Sequence, residues 1–360
     1  MLYAICFMNN VSIKKIQEGV FLDKKILVRA DFNVALEDGK IKEKFKLEAC
    51  KKTIDHLSAQ SGSKVALISH LGRPEGKKNP EFSLEQIKDE LEIILERKIV
   101  FVNDCVGSEV SKALDALNVG EIILLENVRF YEGEEKNDVE FSKKLAENFD
   151  VYINDAFSVC HRNQASVTGI TAHIESYAGL RLQEEIKNLN RVIHEPESPA
   201  TAIIGGAKIE TKLPLINNFE KAYSHILVGG KIANEAIDQK LAFSPKVILP
   251  FDFAKDRFDI GPKTIRRFKE IIAQSKVIVW NGPMGKFEEQ PYDIGTREIL
   301  DAIVESDAFT LIGGGESVQV LEENNLMNKI SFVSTGGGAM LEYLSGNQMP
   351  GIEALRMKKE

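Results

Sequence analysis

The sequence predicts an α/β protein: two doubly wound parallel-sheet (Rossmann-like) domains joined by a helix and a hinge. Three observations carry that expectation. Short runs rich in Val, Ile and Leu alternate with amphipathic helical stretches along the chain, and such alternation builds a parallel sheet covered by helices on both faces. At 360 residues the chain is longer than one hydrophobic core usually spans, so two domains are expected. The alternation is interrupted once, near mid-chain, by a polar helical stretch at Leu182–Ile193 and a loosening HEPESPA.

Taken in order, Lys25–Arg29, Val65–Ser69, Ile99–Val102, Ile122–Leu125 and Val151–Asn154 read as buried strands, with helices such as Leu47–Ser58 and Leu84–Leu95 between them. The pattern restarts with strands at Ala202–Gly205, His225–Val228, Val247–Leu249, Val277–Trp280, Thr310–Ile312 and Ser331–Ser334.

Composition excludes several classes. A net charge of −8 argues against a general nucleic-acid binder, so any anion site is built locally. Cys6, Cys50, Cys105 and Cys160 show no CxxC spacing. That fits a reducing cytosol, implies no disulfide framework or zinc site, and makes a cytoplasmic location the expectation. The opening MLYAICFM lacks the basic flank and cleavage site of a signal peptide, and Met8 offers an alternative start. No apolar run approaches membrane-spanning length.

Open α/β sheets bind ligands beyond the carboxyl ends of their strands. In the first half those loops hold Asp31-Phe32-Asn33, His70-Leu71-Gly72-Arg73, Arg129 and His161-Arg162. In the second half they hold Gly205-Gly206-Ala207-Lys208, Gly229-Gly230, Asn281-Gly282-Pro283-Met284-Gly285, Gly313–Glu316 and Gly336–Gly338. Cationic forks suit a small, highly charged acid or phosphate. Glycine turns ahead of helices suit the phosphates and flat base of a nucleotide. Within TAIIGGAKIETKL (201–213), Ile209 onward reads as a helix, which puts Lys208 and Lys212 on one face within reach of phosphate oxygens. Taken singly, these features have plain readings: a tight turn with solvated lysines, core or cap histidines, surface ion-pair arginines. Those readings leave unexplained why basic loops follow four strands of one half and glycine loops five strands of the other. An anion site facing a nucleotide site across a hinge describes a phosphoryl-transfer enzyme. Neither G-x-x-x-x-G-K-[ST] nor a helix-opening G-x-G-x-x-[GA] occurs, which disfavours Walker-type NTPases and NAD dehydrogenases.

Nine segments, in order, then resemble the phosphoglycerate kinase family: RADFNVAL (29–36), SHLGRP (69–74), LLENVRFYEGEEKN (124–137), NDAFSVCHR (154–162), GGAKIETK (205–212), DIGPKT (259–264), VWNGPMGKFE (279–288), GGGES (313–317) and STGGGA (334–339). The resemblance implies reversible phosphoryl transfer between 1,3-bisphosphoglycerate and ADP, giving 3-phosphoglycerate and ATP, with Mg2+, in a hinge-bending cytoplasmic monomer of glycolysis. It implies a substrate domain over residues 1–178, an interdomain helix over 179–193 and a nucleotide domain over 194–339, with 340–360 packing back on the first.

Carried over, Asp31, Phe32, Asn33 and Lys46 would meet the acid, and His70, Leu71, Gly72, Arg73, Arg129 and Arg162 its phosphate. Gly205, Gly206, Lys208, Lys212, Gly229, Gly230, Asn281, Pro283, Glu288, Gly314, Gly315, Glu316 and Ser317 would meet the nucleotide, with Glu316 by the metal. Gly336, Gly337 and Gly338 would offer N–H groups to the phosphoryl group in transit, and Lys208, Lys46 and Arg162 would be catalytic.

Several positions depart from the family pattern. Lys46 stands where an arginine is usual, Glu316-Ser317 where Asp-Thr is usual, and Ser158 where a glycine is usual, so that a positive φ there would be strained. Phe332 replaces a histidine and Ala35 a proline. The segment between Asp252 and Asp259 is short and reads as a trimmed surface excursion. Two alternatives follow: a related kinase for another small phosphorylated carboxylic acid, or a nucleotide-binding protein with little turnover.

Overall fold

Side-chain alternation along the first strand shows why the sheet is covered on both faces. In β1 (Lys25–Arg29), Ile26 and Val28 enter one apolar cluster with Phe32, Leu47 and Leu67, while Leu27 enters another with Ala66, Ile68 and Ile123. With a period of two, neighbouring residues serve opposite cores, and the strand must be apolar throughout.

The computed structural model describes residues 12–37, 39–194 and 196–357. Cys6 and the MLYAICFM opening lie outside them. The chain forms two compact units, one from residues up to Glu185 together with those from Gln348 onward, the other from Ile186–Asn347.

The first unit contains β1, a hairpin of β2 (Leu36–Glu37) and β3 (Lys40–Ile41), then β4 (Lys64–Ile68), β5 (Ile99–Val102), β6 (Ile122–Leu125), β7 (Val151–Asn154) and β8 (Glu175–Ala178). Its main sheet is parallel, in the order β5-β6-β4-β1-β7-β8. The hairpin and edge strand β8 lack the apolar run that reveals the other strands. Residues near the C-terminus complete this unit: Lys14 N donates to Leu355 O at 3.1 Å, Met357 N to Ser12 O at 3.0 Å and Gly351 N to Cys160 O at 2.9 Å.

The second unit contains β9 (Ala200–Ile204), β10 (His225–Val228), β11 (Val247–Ile248), β12 (Val277–Asn281), β13 (Phe309–Gly313) and β14 (Phe332–Ser334). The order is β11-β10-β9-β12-β13-β14, again all parallel. Among the described residues no helix is long and apolar enough to cross a membrane. Cys50, Cys105 and Cys160 are buried free thiols.

The helix Leu180–Ile193 runs from the first unit into the second. Asp155, buried beyond β7, holds its start: Oδ1 accepts the N–H groups of Arg181 at 2.8 Å and Leu182 at 3.3 Å. Burial pushes this carboxyl up to about 7, against the pull of Thr53, the two amides and Arg181. A group whose native value lies above its unfolded value stabilises most below the unfolded value. That contribution is lost as pH rises from about 4 through about 7. Asp155→Asn therefore gains stability relative to the parent across that window, on the order of 4 kcal/mol in full. Thermal melts of both proteins from pH 4 to pH 8 check this, and a constant difference in Tm would refute it.

Candidate active site

The strand order brings the basic loops together. The loops after β6, β4, β1 and β7 carry Arg129, His70–Arg73, Asp31–Asn33 and His161-Arg162, and those strands are consecutive neighbours in the sheet. The edge strands β5 and β8 contribute none of these groups.

At the centre stands Arg29, the last residue of β1 and fully buried, which sequence reasoning left inside a strand. Its Nη2 lies 3.0 Å from His70 Nδ1, and its Nη1 donates to Ala30 O at 2.6 Å. Arg129 is also buried. Its Nη1 donates to Gly72 O at 2.8 Å and its Nε stands 3.7 Å from Glu135, but neither Nε nor Nη2 has a hydrogen-bond partner among the described residues. Burial, Arg162 and Arg29 pull its guanidinium down to about 10. Arg162, half-buried, donates from Nε to His161 Nε2 at 3.3 Å and is lowered by burial, Arg73 and Arg29. Arg73 is exposed. Guanidinium groups held together with donors unspent carry a cost that a shared anion would relieve.

Asn33 Oδ1 accepts Gly72 N at 2.9 Å, knitting the loop after β1 to the loop after β4. Asp31 Oδ1 accepts Asn33 N at 3.1 Å. Lys46, on the helix Phe45–Ala49, donates to Asn33 O at 2.9 Å and stands 3.6 Å from Asp31 Oδ2. The side chains of Phe32 and Leu71 face the core instead, and Phe32 N is spent on Ser69 Oγ at 2.9 Å. Gly72 is required at its position, since φ is +62° and a Cβ would stand 2.3 Å from Phe82. The strain expected at Ser158 is absent: it lies in the short turn Phe157–Val159 and is not among the residues with positive φ.

In the second unit the glycine loops follow β10, β9, β12, β13 and β14, again consecutive neighbours. The order of connection reverses between β9 and β12, the point where doubly wound sheets open a crevice. Gly205 and Gly282 follow those two strands and pack on each other's loops. A Cβ at Gly205 would lie 1.9 Å from Pro283 O, so this glycine serves backbone packing. At Gly229 a Cβ would lie 2.6 Å from Met284 Sδ. By contrast, nothing stands within 4 Å of where a Cβ would sit at Gly315 or Gly338, at the starts of helices Gly315–Glu323 and Gly337–Leu344. Gly336 caps the latter helix, and Gly337 packs with its would-be Cβ 2.6 Å from the Cα of Gly314.

Lys208 and Lys212 do not share a helix face. A single short turn, Ile209–Thr211, separates them, and the α-helix begins only at Leu213. Pro214 at the helix start explains the delay, because proline is favoured in a first turn and excluded from an interior. Lys208 is left exposed, while Lys212 is buried and donates to Asn281 Oδ1. Burial lowers Lys212 to about 8, with Glu316 pulling the other way. Asn281 is a latch, its Nδ2 donating to Gly313 O at 2.6 Å. Ser317 is fully buried and accepts Gly282 N at 2.8 Å, so its hydroxyl serves the turn after β12.

A cavity of about 450 Å3 opens here, lined by Gly206, Gly230, Pro283, Glu288 and Glu316. The segment Asp252–Asp259, expected as a surface excursion, is part of its wall through Asp256, Arg257 and Phe258. Arg257 fastens that wall to the helix Gly230–Asp238, donating from Nε to Asn234 Oδ1 at 3.1 Å and from Nη1 to Asp238 at 2.9 Å. Glu316 is exposed at the cavity wall; partial desolvation and Glu288 raise its carboxyl, and Lys212 lowers it. Among the described residues no group of three or more His, Cys, Asp or Glu side chains forms a ready-made metal cage. Carboxylates lining this cavity fit magnesium, which is commonly held by one or two carboxylates and the substrate's phosphates.

A cationic half-site on one parallel α/β sheet and a nucleotide-sized cavity at the switch point of another define a phosphotransferase. Comparison with known proteins narrows this. The family model for phosphoglycerate kinase matches residues 16–242 and 248–347. The phosphoglycerate kinase of Borrelia hermsii is 36% identical over 391 aligned positions, covering 96% of this chain and 100% of its own length. That of Moorella thermoacetica is 38% identical, covering 93% and 97%. Among solved structures, phosphoglycerate kinase from Coxiella burnetii superposes with a TM-score of 0.81 at 32% identity, and that from Pyrococcus horikoshii with 0.86 at 28%, each covering 95% of this chain and 98% of the other. The chain belongs to the phosphoglycerate kinase family.

Proposed function

We propose that this chain transfers a phosphoryl group reversibly between the acyl phosphate of 1,3-bisphosphoglycerate and ADP, as a magnesium-dependent cytoplasmic monomer. The observation that carries the reading is the buried, unspent edge of Arg129 beside Arg29 and Arg162. It provides a fixed fork for the phosphate that stays on the acid, completed by His70 and, from the exposed side, Arg73. Asp31, Asn33 and Lys46 orient the glycerate hydroxyl and carboxylate. The nucleotide lies in the 450 Å3 cavity, with its phosphates toward Lys208, Lys212 and the helix starts at Gly315 and Gly337.

No side chain acts as nucleophile. In the ATP-forming direction an ADP β-phosphate oxygen attacks the acyl phosphorus, and the bond to the carboxylate oxygen breaks. Catalysis is then positioning and positive charge at the three equatorial oxygens, supplied by Lys208 and the N–H groups of Gly336, Gly337 and Gly338. Glu316, with Glu288 nearby, would hold Mg2+, which when bound neutralises the nucleotide's phosphates.

A coupled assay with 3-phosphoglycerate and ATP, run against other phosphorylated hydroxy acids, tests the assignment. 3-Phosphoglycerate is expected to give the highest kcat/KM by at least tenfold, and a different best acid would overturn it. Lys46→Arg adds the planar fork that lysine lacks, and kcat is expected to rise roughly tenfold, about 1.4 kcal/mol at the transition state. An unchanged or lower kcat would mean that the site around Asn33 and Asp31 is adapted to lysine.

A further inference from the structure

Behind the cationic half-site runs a buried chain of polar groups that the transfer itself does not use. Glu134 is fully buried. Its Oε1 accepts the hydroxyl of Ser166 at 2.6 Å and its Oε2 accepts Ser166 N at 2.8 Å. Ser166 Oγ in turn accepts Arg29 Nε at 3.0 Å, and Arg29 Nη2 lies 3.0 Å from His70 Nδ1.

Donor and acceptor roles are fixed along this chain. A serine hydroxyl has one proton, and Glu134 takes it, which leaves an oxygen lone pair for Arg29. A guanidinium only donates, so His70 Nδ1 must accept and carries no proton. The ring is then neutral with its proton on Nε2. Burial, and then the positive charges of Arg29, Arg129, Arg162 and Lys46, hold His70 well below the usual histidine range. Asp31 beside Lys46 and Glu135 beside Arg129 are the nearby acids on neighbouring loops, and each is already paired with its own cation.

We propose that Glu134 and Ser166 are positioning residues that lock Arg29 and, through it, hold His70 as a neutral Nε2–H donor for the phosphate of the acid. This rests on the reading that the basic cluster binds that phosphate. A cationic histidine would add a fifth positive charge to a crowded pocket, and the other neutral tautomer would aim a lone pair at the anion. By holding Arg29 through Ser166, the buried carboxylate keeps Nη2 on His70 Nδ1, and a proton on that nitrogen, required in both rejected forms, has no place.

Nitrogen-15 NMR of histidine-labelled protein, with His70 assigned by loss of its signals in His70→Asn, reads the tautomer directly. In the parent protein Nδ1 is expected unprotonated and Nε2 protonated, without titration from pH 5.5 to pH 8. A protonated Nδ1, or a titration inside that range, overturns the proposal whichever acid proves to be the substrate, because the measurement needs none. In Ser166→Ala the Nε2–H form is expected to lose its dominance, and KM for 3-phosphoglycerate to rise about tenfold with the KM for ATP unchanged. Ser166→Thr, which keeps the hydroxyl, is expected to restore both. If Ser166→Ala folds with the His70 spectrum and KM intact, the positioning role is wrong. If it does not fold, the spectrum of the parent protein decides.

Discussion

Lys208→Ala is expected to lower kcat about a thousandfold while nucleotide affinity changes less than tenfold. Lys208 is exposed, follows the Gly205-Gly206-Ala207 turn, and has no partner among the described residues that would hold its ammonium away from a ligand. A mobile cation gains most where negative charge builds up, and removing one group that stabilises charge only in the transition state costs about 10²–10³ in rate. Lys212 offers a contrast within the same motif, being buried and tied to Asn281. Steady-state kinetics with calorimetric titration of ADP separate the two effects. Equal losses in kcat and affinity would reduce Lys208 to a ground-state binding residue.

Arg129→Ala is expected to reduce kcat/KM for 3-phosphoglycerate by a few hundredfold, on the order of 3 kcal/mol. Arg129→Lys recovers little of it, since an ammonium cannot reproduce the fork. Stability should move differently. Burial, and then the charges of Arg162 and Arg29, already lower the pKa of its guanidinium, so the folded protein holds it at a cost. Removing it leaves Tm unchanged or raised, provided Gly72 O, its hydrogen-bond partner at 2.8 Å, finds water. A fall in Tm parallel to the loss of activity would recast Arg129 as structural.

Much of the fold was legible because buried parallel strands have no polar face to hide behind. Val151–Asn154 and Ile122–Leu125 are apolar enough to be read at a glance, and the structure places strands there. Strand β8, Glu175–Ala178, was missed because an edge strand of sequence ESYA needs no apolar run. The delayed helix after Lys208 shows a different limit: spacing four apart means a shared face only if the backbone is helical throughout, and Pro214 sets a later start.

Which loops carry chemistry was also written in the chain, as cationic residues after one set of strands and glycines after the other. What each residue does there was not. Arg29 looks like any strand terminus, and Glu134 like any surface acid, until the folded chain places Ser166 between them. Ser317, Asn281 and Gly205 look like ligand contacts by position, yet their atoms are spent on their neighbours.

The sequence by itself determined two parallel α/β layers and the chemical kind of the loops above them, since strand burial and residue type are local properties. Only the tertiary structure decided which side chains keep unspent donors for a ligand and which are consumed in holding the site. That depends on hydrogen bonds between residues far apart in the chain, and no periodicity or spacing encodes them.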